Sequence, residues 1–162
     1  MSSKNRFTTR NWNESSDNGF LAGRVNRPER RRKTQPIMKM LIIDDSKAMR
    51  TFLTFIVQEM SCATIEAGDG REALDLLVHN DPREPFDVAL VDWEMPRMNG
   101  LEFVQAVRRN RDFADLRLLM ISTLNSMERV SAALEAGADD FLMKPVTREM
   151  LLDKLQILGV VG

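Results

Sequence analysis

The side chains of this 162-residue chain that could do chemistry are mainly carboxylates. Its single cysteine, Cys62, and its single histidine, His79, exclude an internal disulfide, a Cys-based zinc site and a His-rich metal site. Aspartates, in contrast, follow short apolar runs at two places, as Asp44-Asp45 and as Asp92. Carboxylate oxygens bind hard cations, and an Asp carboxylate can accept a phosphoryl group. The composition therefore favours carboxylate chemistry over thiol or imidazole chemistry.

A regular alternation of strands and helices must position these aspartates. Apolar runs predict strands at Met40–Ile43, Ala63–Ile65, Phe86–Val91, Leu116–Ile121 and Ala138–Met143. Apolar stripes and capping signals predict helices from Met49 to Met60, over Arg71–Leu77, from Asn99-Gly100 through Val107, from about Asn125 to Ala136, and from Thr147 to Leu158. Strands that alternate with helices in this way indicate an α/β fold with a parallel sheet covered on both faces.

The carboxyl ends of the predicted strands carry a set of polar residues, which are Asp44, Asp45, Asp92, Ser122, Thr123 and Lys144. Taken singly, an Asp pair is most often a helix cap, a Ser-Thr pair a turn, and a Lys before Pro an exposed side chain. Ligands of open parallel sheets bind at this edge, however, so the whole set predicts one site. Three carboxylates repel unless a cation lies among them, and an all-oxygen set selects an ion such as Mg²⁺. Lys144 and Ser122 could then hold the oxygens of a phosphoryl group that an Asp accepts.

These residues, in this order, resemble the response-regulator receiver family. The resemblance covers about residues 38–159 and rests on Asp44-Asp45, on Asp92-Trp-Glu-Met-Pro-Arg-Met-Asn-Gly100, on Ser122 and on Phe141-Leu-Met-Lys144-Pro145. It implies a flavodoxin-like α/β fold, a doubly wound five-stranded parallel sheet in the order 2-1-3-4-5 with five helices. The nearest likeness is to stand-alone receivers of the chemotaxis type.

The resemblance also implies a role for each site residue. Asp92 would accept a phosphoryl group from a phosphohistidine on a sensor histidine kinase or a phosphotransfer protein. Asp45 and Asp92 would ligate Mg²⁺ directly, Asp44 through water and Glu94 through its backbone carbonyl. Lys144 would pair with the phosphoryl group, and its peptide bond to Pro145 would be cis.

Two further positions carry the implied switch. Ser122 stands at the switch hydroxyl position and Phe141 at the switch aromatic position. A phosphoryl group that draws in Ser122 would let Phe141 turn inward and alter the surface of the fourth helix, fifth strand and fifth helix, which a downstream target protein would recognise. Glu94 and Leu124 lie two residues after Asp92 and Ser122, and we expect both to change the phosphate lifetime in a direction that the sequence does not fix.

The first 36 residues differ sharply in charge from the rest of the chain. Residues 1–36 carry nine Lys/Arg against three Asp/Glu, a net charge of +6, whereas residues 37–162 carry 14 against 21, a net charge of −7. We predict a disordered basic arm at 1–36 and a receiver domain at 37–162. The arm is either a tether for nucleic acid or an acidic partner, or a solvated tail or start-site extension. It lacks the features of an export signal, and nucleic acid is the less favoured partner.

The leading hypothesis is a cytoplasmic single-domain response regulator that signals by protein contact and is not an enzyme. No apolar run approaches the roughly 18–20 residues of a membrane span, which excludes an integral membrane protein. One alternative is an Mg²⁺-dependent phosphatase of the aspartyl-phosphate type, although that class usually has Asp where this chain has Glu94. The other is a DNA-binding regulator that uses the basic arm, although no helix-turn-helix follows the predicted receiver and we expect no output domain. His79 is predicted to be a surface residue.

Overall fold

The computed structural model describes residues 38–123 and 126–162. The predicted arm at 1–36, the modulating position Leu124 and the predicted start of the fourth helix at Asn125 lie outside the described residues. Within those residues, no helix combines the length and the apolar character that crossing a membrane requires.

Five strands and five helices alternate along the described residues. The strands are β1 (Lys39–Ile43), β2 (Ala63–Ala67), β3 (Val88–Asp92), β4 (Arg117–Ser122) and β5 (Asp140–Met143). The helices are α1 (Lys47–Gln58), α2 (Gly70–Val78), α3 (Gly100–Arg109), α4 (Met127–Ala136) and α5 (Arg148–Ile157), with a 3₁₀ turn at Arg111–Phe113. All strand pairs are parallel and lie in the order β2-β1-β3-β4-β5, which confirms the predicted fold.

Helices cover the sheet on both faces, as the near-continuous apolar strands require. One apolar cluster packs α2, α3 and α4 on one face of the sheet, and a second packs α1 and α5 on the other. β3 is buried along its whole length, because its side chains alternate between these two clusters. The carboxyl edge of the sheet is left for polar residues.

Three predicted helix caps are confirmed, whereas α1 runs from Lys47 to Gln58 and not from Met49 to Met60, because Ser46 caps it. The side chain of Asp69 accepts hydrogen bonds from the amides of Arg71 and Glu72 in α2, and that of Thr147 accepts one from the amide of Met150 in α5. Gly137 ends α4 with a φ of 110°, a left-handed conformation that favours glycine. His79 follows α2 and is exposed, as predicted.

Two predicted strands begin two residues too early, and the fourth, predicted from Leu116, begins one residue too early. β5 starts at Asp140 and not at Ala138, because the amide of Ala138 donates to the carbonyl of Ala133 and so belongs to the end of α4. β3 starts at Val88 and not at Phe86, because the sheet pairing of this segment begins at Val88.

Candidate functional site

The strand register brings the predicted site residues to one edge of the sheet. Ile43, the last residue of β1, aligns with Val91 of β3, so Asp44 and Asp92 follow at the same level. Ser122 at the end of β4 aligns with Met143 at the end of β5, and Lys144 follows directly. Parallel strands therefore place acids, hydroxyl and ammonium together, although they are far apart in sequence.

Three carboxylates meet at the centre of this edge. One oxygen from each of Asp44, Asp45 and Asp92 lies within 4.8 Å of the other two. Asp44 and Asp92 are buried, whereas Asp45 is exposed and leaves the cluster open to solvent. Oxygen ligands alone, two of them shielded and one accessible, suit a small hard cation that keeps part of its water shell.

Asp44 is held in place by the backbone around it. Its amide donates to the carbonyl of Ala67 at the end of β2, and its Oδ1 accepts the amide of Ser46 at 2.8 Å. Arg50 on α1 donates to the carbonyl of Asp44, also at 2.8 Å. The hydroxyl of Ser46, and not Asp44 or Asp45, caps α1. This leaves Oδ2 of Asp44 directed at the cluster, where it accepts from Lys144.

Lys144 bridges two of the acids. Its Nζ donates to Asp44 Oδ2 at 2.9 Å and to Asp92 Oδ1 at 3.0 Å. Burial lowers the pKa of the Lys144 ammonium, but the hydrogen bonds to the two carboxylates outweigh this and raise it, so the group stays charged. The amide of Lys144 donates to the carbonyl of Ser122 at 2.9 Å, and the Lys144–Pro145 peptide bond is cis, as predicted.

The pKa of the Asp92 carboxyl is raised above the ordinary value of an aspartate. Burial raises this pKa, the hydrogen bond from Lys144 opposes the rise, and the nearby negative charges of Asp44 and Asp45 add to it, so that the pKa lies at about 6. A proton or a cation is therefore bound readily beside Asp92. The site combines a shielded carboxylate with a fixed ammonium, which is an arrangement suited to a group that arrives with negative charge.

The loop after Asp92 turns sharply beneath the site. The amide of Gly100 donates to the carbonyl of Trp93 at 2.9 Å, and a Cβ at position 100 would lie 2.2 Å from the carbonyl oxygen of Asp92. Only glycine fits this approach, so Gly100 fixes how α3 starts behind the acceptor strand. The carboxylate of Glu94 is exposed and lies outside the three-acid cluster, where it pairs with Arg129 at 3.4 Å.

The residues proposed for the switch lie on the two strands beyond Asp92. Ser122 is 1% exposed at the end of β4. Phe141 is half-buried in β5, aligns with Met120 of β4 and packs against the apolar cluster of α2, α3 and α4. Their positions agree with the expected arrangement, whereas their roles stay predictions.

Sequence patterns missed the contacts of two arginines, one in the loop after Asp92 and one that contacts this loop from α4. Arg97, which has a φ of 64°, pairs with the buried carboxylate of Asp69 at the start of α2. Arg129 on α4 pairs with Glu94 and lies over the ring of Trp93. Both resemble ordinary surface arginines in sequence, and no local spacing signals contacts between elements 28 and 35 residues apart.

Comparison with known proteins identifies the family. A family model described as the response regulator receiver domain matches residues 40–156. The chain belongs to the response regulator receiver domain family. Receivers of this kind act in two-component signalling, and this one is a response regulator. The family binds Mg²⁺, and the oxygen-only cluster described above fits that ion.

The receiver is similar to chemotaxis proteins in particular. A chemotaxis protein CheY homolog of Campylobacter jejuni is 38% identical over 124 residues, which span 75% of this chain and 93% of that protein. The structure of Vibrio cholerae CheY4 is 35% identical, with a TM-score of 0.69, and the match covers 75% of this chain and 98% of that one. A CheX–CheY–BeF₃–Mg complex from Borrelia burgdorferi is 29% identical, with a TM-score of 0.68, and the match covers 76% and 90% of the two chains.

Proposed function

We propose that this receiver accepts a phosphoryl group on Asp92 from a phosphohistidine of a sensor histidine kinase or a phosphotransfer protein. The observation that carries the proposal is the Lys144 ammonium, which bridges Asp44 and Asp92 at 2.9 and 3.0 Å beside the three-acid cluster. The protein is then a stoichiometric acceptor that signals through a downstream target, and not a catalyst that turns over many substrate molecules.

Asp44, Asp45, Asp92 and the backbone carbonyl of Glu94 are the ligands that we propose for Mg²⁺. When bound there, the ion supplies positive charge beside the transferred phosphoryl group. The B. burgdorferi complex contains both Mg and BeF₃, which supports a cation and a phosphoryl-like group in a related receiver. Asp45 and one oxygen of Asp92 would ligate the cation directly and Asp44 through water, which leaves the other oxygen of Asp92 available as the nucleophile.

The transfer step needs positioning and charge more than covalent assistance. An oxygen of Asp92 forms a bond to phosphorus while the P–N bond of phosphohistidine breaks. The electron pair of that bond stays on the imidazole nitrogen, so the ring leaves as neutral imidazole when its other nitrogen carries a proton and otherwise takes a proton from water. Lys144 exchanges its hydrogen bond with Asp92 for one with a phosphoryl oxygen and keeps its bond to Asp44. Hydrolysis later returns the carboxylate and releases phosphate.

The output of this reaction is proposed to pass through Ser122 and Phe141. Ser122 is buried one strand away from Asp92 and donates to a phosphoryl oxygen in the phosphorylated state. The backbone of Lys144 is bonded to Ser122, so a movement at the end of β4 is transmitted to β5, on which Phe141 lies. The surface of α4, β5 and α5 is the region that a target would recognise.

A phosphotransfer experiment tests the proposal. We expect one phosphoryl group per molecule when the receiver is mixed with a phosphohistidine donor and Mg²⁺. Asp92→Asn should take no label, and removal of Mg²⁺ with EDTA should prevent labelling of the parent. Asp153→Asn, which removes an exposed carboxylate from α5, is the matched control and should label normally.

Two outcomes would overturn the proposal. Labelling of Asp92→Asn at the parental rate would assign the phosphate to another residue. Release of many phosphates per protein molecule from a small phosphomonoester would favour the phosphatase alternative.

A cytoplasmic location also stays a prediction, which rests on the one thiol of the chain, the buried Cys62.

A further inference from the structure

A cationic side chain on α4 contacts both residues that follow the acceptor. The guanidinium of Arg129 lies 3.4 Å from Oε1 of Glu94 and 5.2 Å from the centroid of the Trp93 ring. A guanidinium over an indole face is attracted by the ring quadrupole, so the two contacts act together on one side chain.

The backbone holds both partners of this contact. Ser126 caps α4 by accepting the amide of Arg129 at 3.3 Å, which fixes where the arginine leaves the helix. The amide of Trp93 donates to the carbonyl of Ile121 at 3.3 Å, so the ring is carried by the edge of the sheet. The contact therefore connects the start of α4 to the end of β3.

Trp93 and Glu94 form part of the wall of an open groove beside the acid cluster. The groove has a volume of about 540 Å³, and its lining residues are Asp45, Trp93, Glu94, Met95, Pro96 and Asn99. That lining contains two carboxylates and no Lys or Arg. A phosphoryl donor is itself an anion, so an uncompensated groove of this kind would repel it.

We propose that Arg129 is a positioning residue that neutralises Glu94 and so lets anionic phosphoryl donors approach Asp92. This inference rests on the proposed function. It adds Arg129 as the residue that offsets the negative charge of the groove lined by Asp45 and Glu94. The side chains of Arg129 and Glu94 are 36% and 63% exposed, and an ion pair so accessible contributes little to folding stability. We therefore expect the loss of this ion pair to change the rate of phosphorylation and not the stability of the fold.

Two small donors of different charge test this inference directly. Acetyl phosphate is a dianion at neutral pH, and phosphoramidate carries one negative charge fewer. With either donor, an Asp92 oxygen bonds to phosphorus, while the P–O bond to the acetyl group or the P–N bond breaks. The leaving acetate or ammonia keeps the electron pair. At low ionic strength we expect Arg129→Gln to lower the second-order labelling rate about threefold to tenfold with acetyl phosphate, and less with phosphoramidate.

A double-mutant cycle separates charge compensation from other effects. Glu94→Gln should raise the rate with acetyl phosphate, and the double variant Glu94→Gln/Arg129→Gln, whose groove has the parental net charge, should label at about the parental rate. Arg129→Lys should keep most of the parental rate. Arg109→Gln removes the same charge from the last turn of α3 and is the matched control, with parental rates expected for both donors.

The failure of the inference is distinguishable from that of the proposed function. Equal losses with the two donors, or a double variant that labels as slowly as Arg129→Gln, would overturn the role of Arg129 alone. Labelling of Asp92→Asn would overturn the function beneath it. Added salt should shrink the Arg129 effect, and an effect that persists undiminished in high salt would also contradict charge compensation.

Discussion

Asp92 is subject to opposing physical influences. Its side chain is buried beside Asp44 and Asp45, and both conditions favour the neutral acid. The ammonium of Lys144 favours the carboxylate, yet the pKa remains raised, at about 6. A nucleophile must be ionised, so in the proposed function a divalent cation at the cluster would favour the reactive form of Asp92.

The raised pKa of Asp92 gives a stability effect whose sign can be stated. The folded protein binds this proton more tightly than the unfolded chain, so its stabilising contribution is full below pH 3.8 and lost as the pH rises through about 6. The side chain of Asp92→Asn does not titrate, so its contribution to the free energy of unfolding does not fall as the pH rises through about 6. In EDTA we expect Asp92→Asn to exceed the parent in free energy of unfolding by about 1–2 kcal/mol at pH 7.5, after allowance for solvent screening, and by less at pH 4.5.

Urea unfolding of both proteins at the two pH values measures this difference. Asp153→Asn provides the control, because its carboxylate is exposed on α5 away from the cluster. A gap between Asp92→Asn and the parent that is the same at pH 4.5 and 7.5 would show that the Asp92 carboxyl is not perturbed in this way. Millimolar Mg²⁺ should reduce the gap at pH 7.5.

At the scale of elements, one arginine joins three parts of the fold. Arg108, in the last turn of α3, donates to the carbonyls of Gly137 at 2.7 Å, Leu116 at 3.0 Å and Phe113 at 3.3 Å. It also pairs with Asp139 at 2.8 Å. These bonds connect α3 to the segment before β4 and to the turn between α4 and β5.

Replacement of Arg108 by methionine should therefore destabilise the fold. The substitution keeps much of the apolar stem but leaves three carbonyls and Asp139 without this donor, and we expect a loss of about 2–3 kcal/mol in the free energy of unfolding. Arg109→Met, one residue further along α3 and exposed, should change it by less than about 0.5 kcal/mol. Urea titrations measure both values, and similar losses for the two variants would contradict the argument.

The same scale shows what sequence can and cannot predict. The strands β1, β3 and β4 are apolar runs buried on both faces, and such short apolar runs are recognisable as strands from the sequence. Their register then follows from parallel pairing, which is why the acids of the site could be assigned to one edge. Strand starts were less predictable, because the amide of Ala138 could belong either to β5 or to the end of α4.

The tertiary contacts of charged side chains were beyond sequence reasoning. The sequence predicts Lys144 as a site residue because it follows a strand, and parallel pairing places all such residues at one edge of the sheet. Arg129 and Arg97 lie elsewhere, on a helix and in a loop, and their partners are determined by how α4 and α2 pack beside β3. Residue type and local spacing contain no such information.

At the scale of the whole molecule, the two apolar clusters keep the chemistry at one edge of the sheet. Every strand between them is tied to its neighbours, so a change at Asp92 has to travel along or across the sheet. The available route runs from β3 to β4, where Asp92 aligns with Ile121, and on to β5, where Ser122 aligns with Met143. Lys144 provides a second connection between these strands, because its backbone amide donates to the carbonyl of Ser122 while its ammonium donates to Asp92.

A phosphoryl analogue should accordingly perturb one side of the sheet more than the other. With Mg²⁺ and beryllofluoride, we expect the amide signals of Ser122, Phe141 and Met143 to move beyond their shifts in Mg²⁺ alone, and those near the end of α2 at Val78 to move little. The reason is that the analogue would compete for the Lys144 and Ser122 donors, which bias the two arrangements of β4 and β5.

The hydroxyl of Ser122 is the step in this route that substitution can isolate. Ser122→Ala should still bind the analogue through Lys144 and the acid cluster, but the amide shifts of Phe141 and Met143 should fall by more than half. Ser131→Ala removes a hydroxyl that bonds Glu135 on the exposed side of α4, and its shifts should match those of the parent. Undiminished shifts in Ser122→Ala would mean that the signal reaches β5 through Lys144 alone. The absence of any shift in the parent would contradict the proposal that the surface of α4, β5 and α5 carries the output.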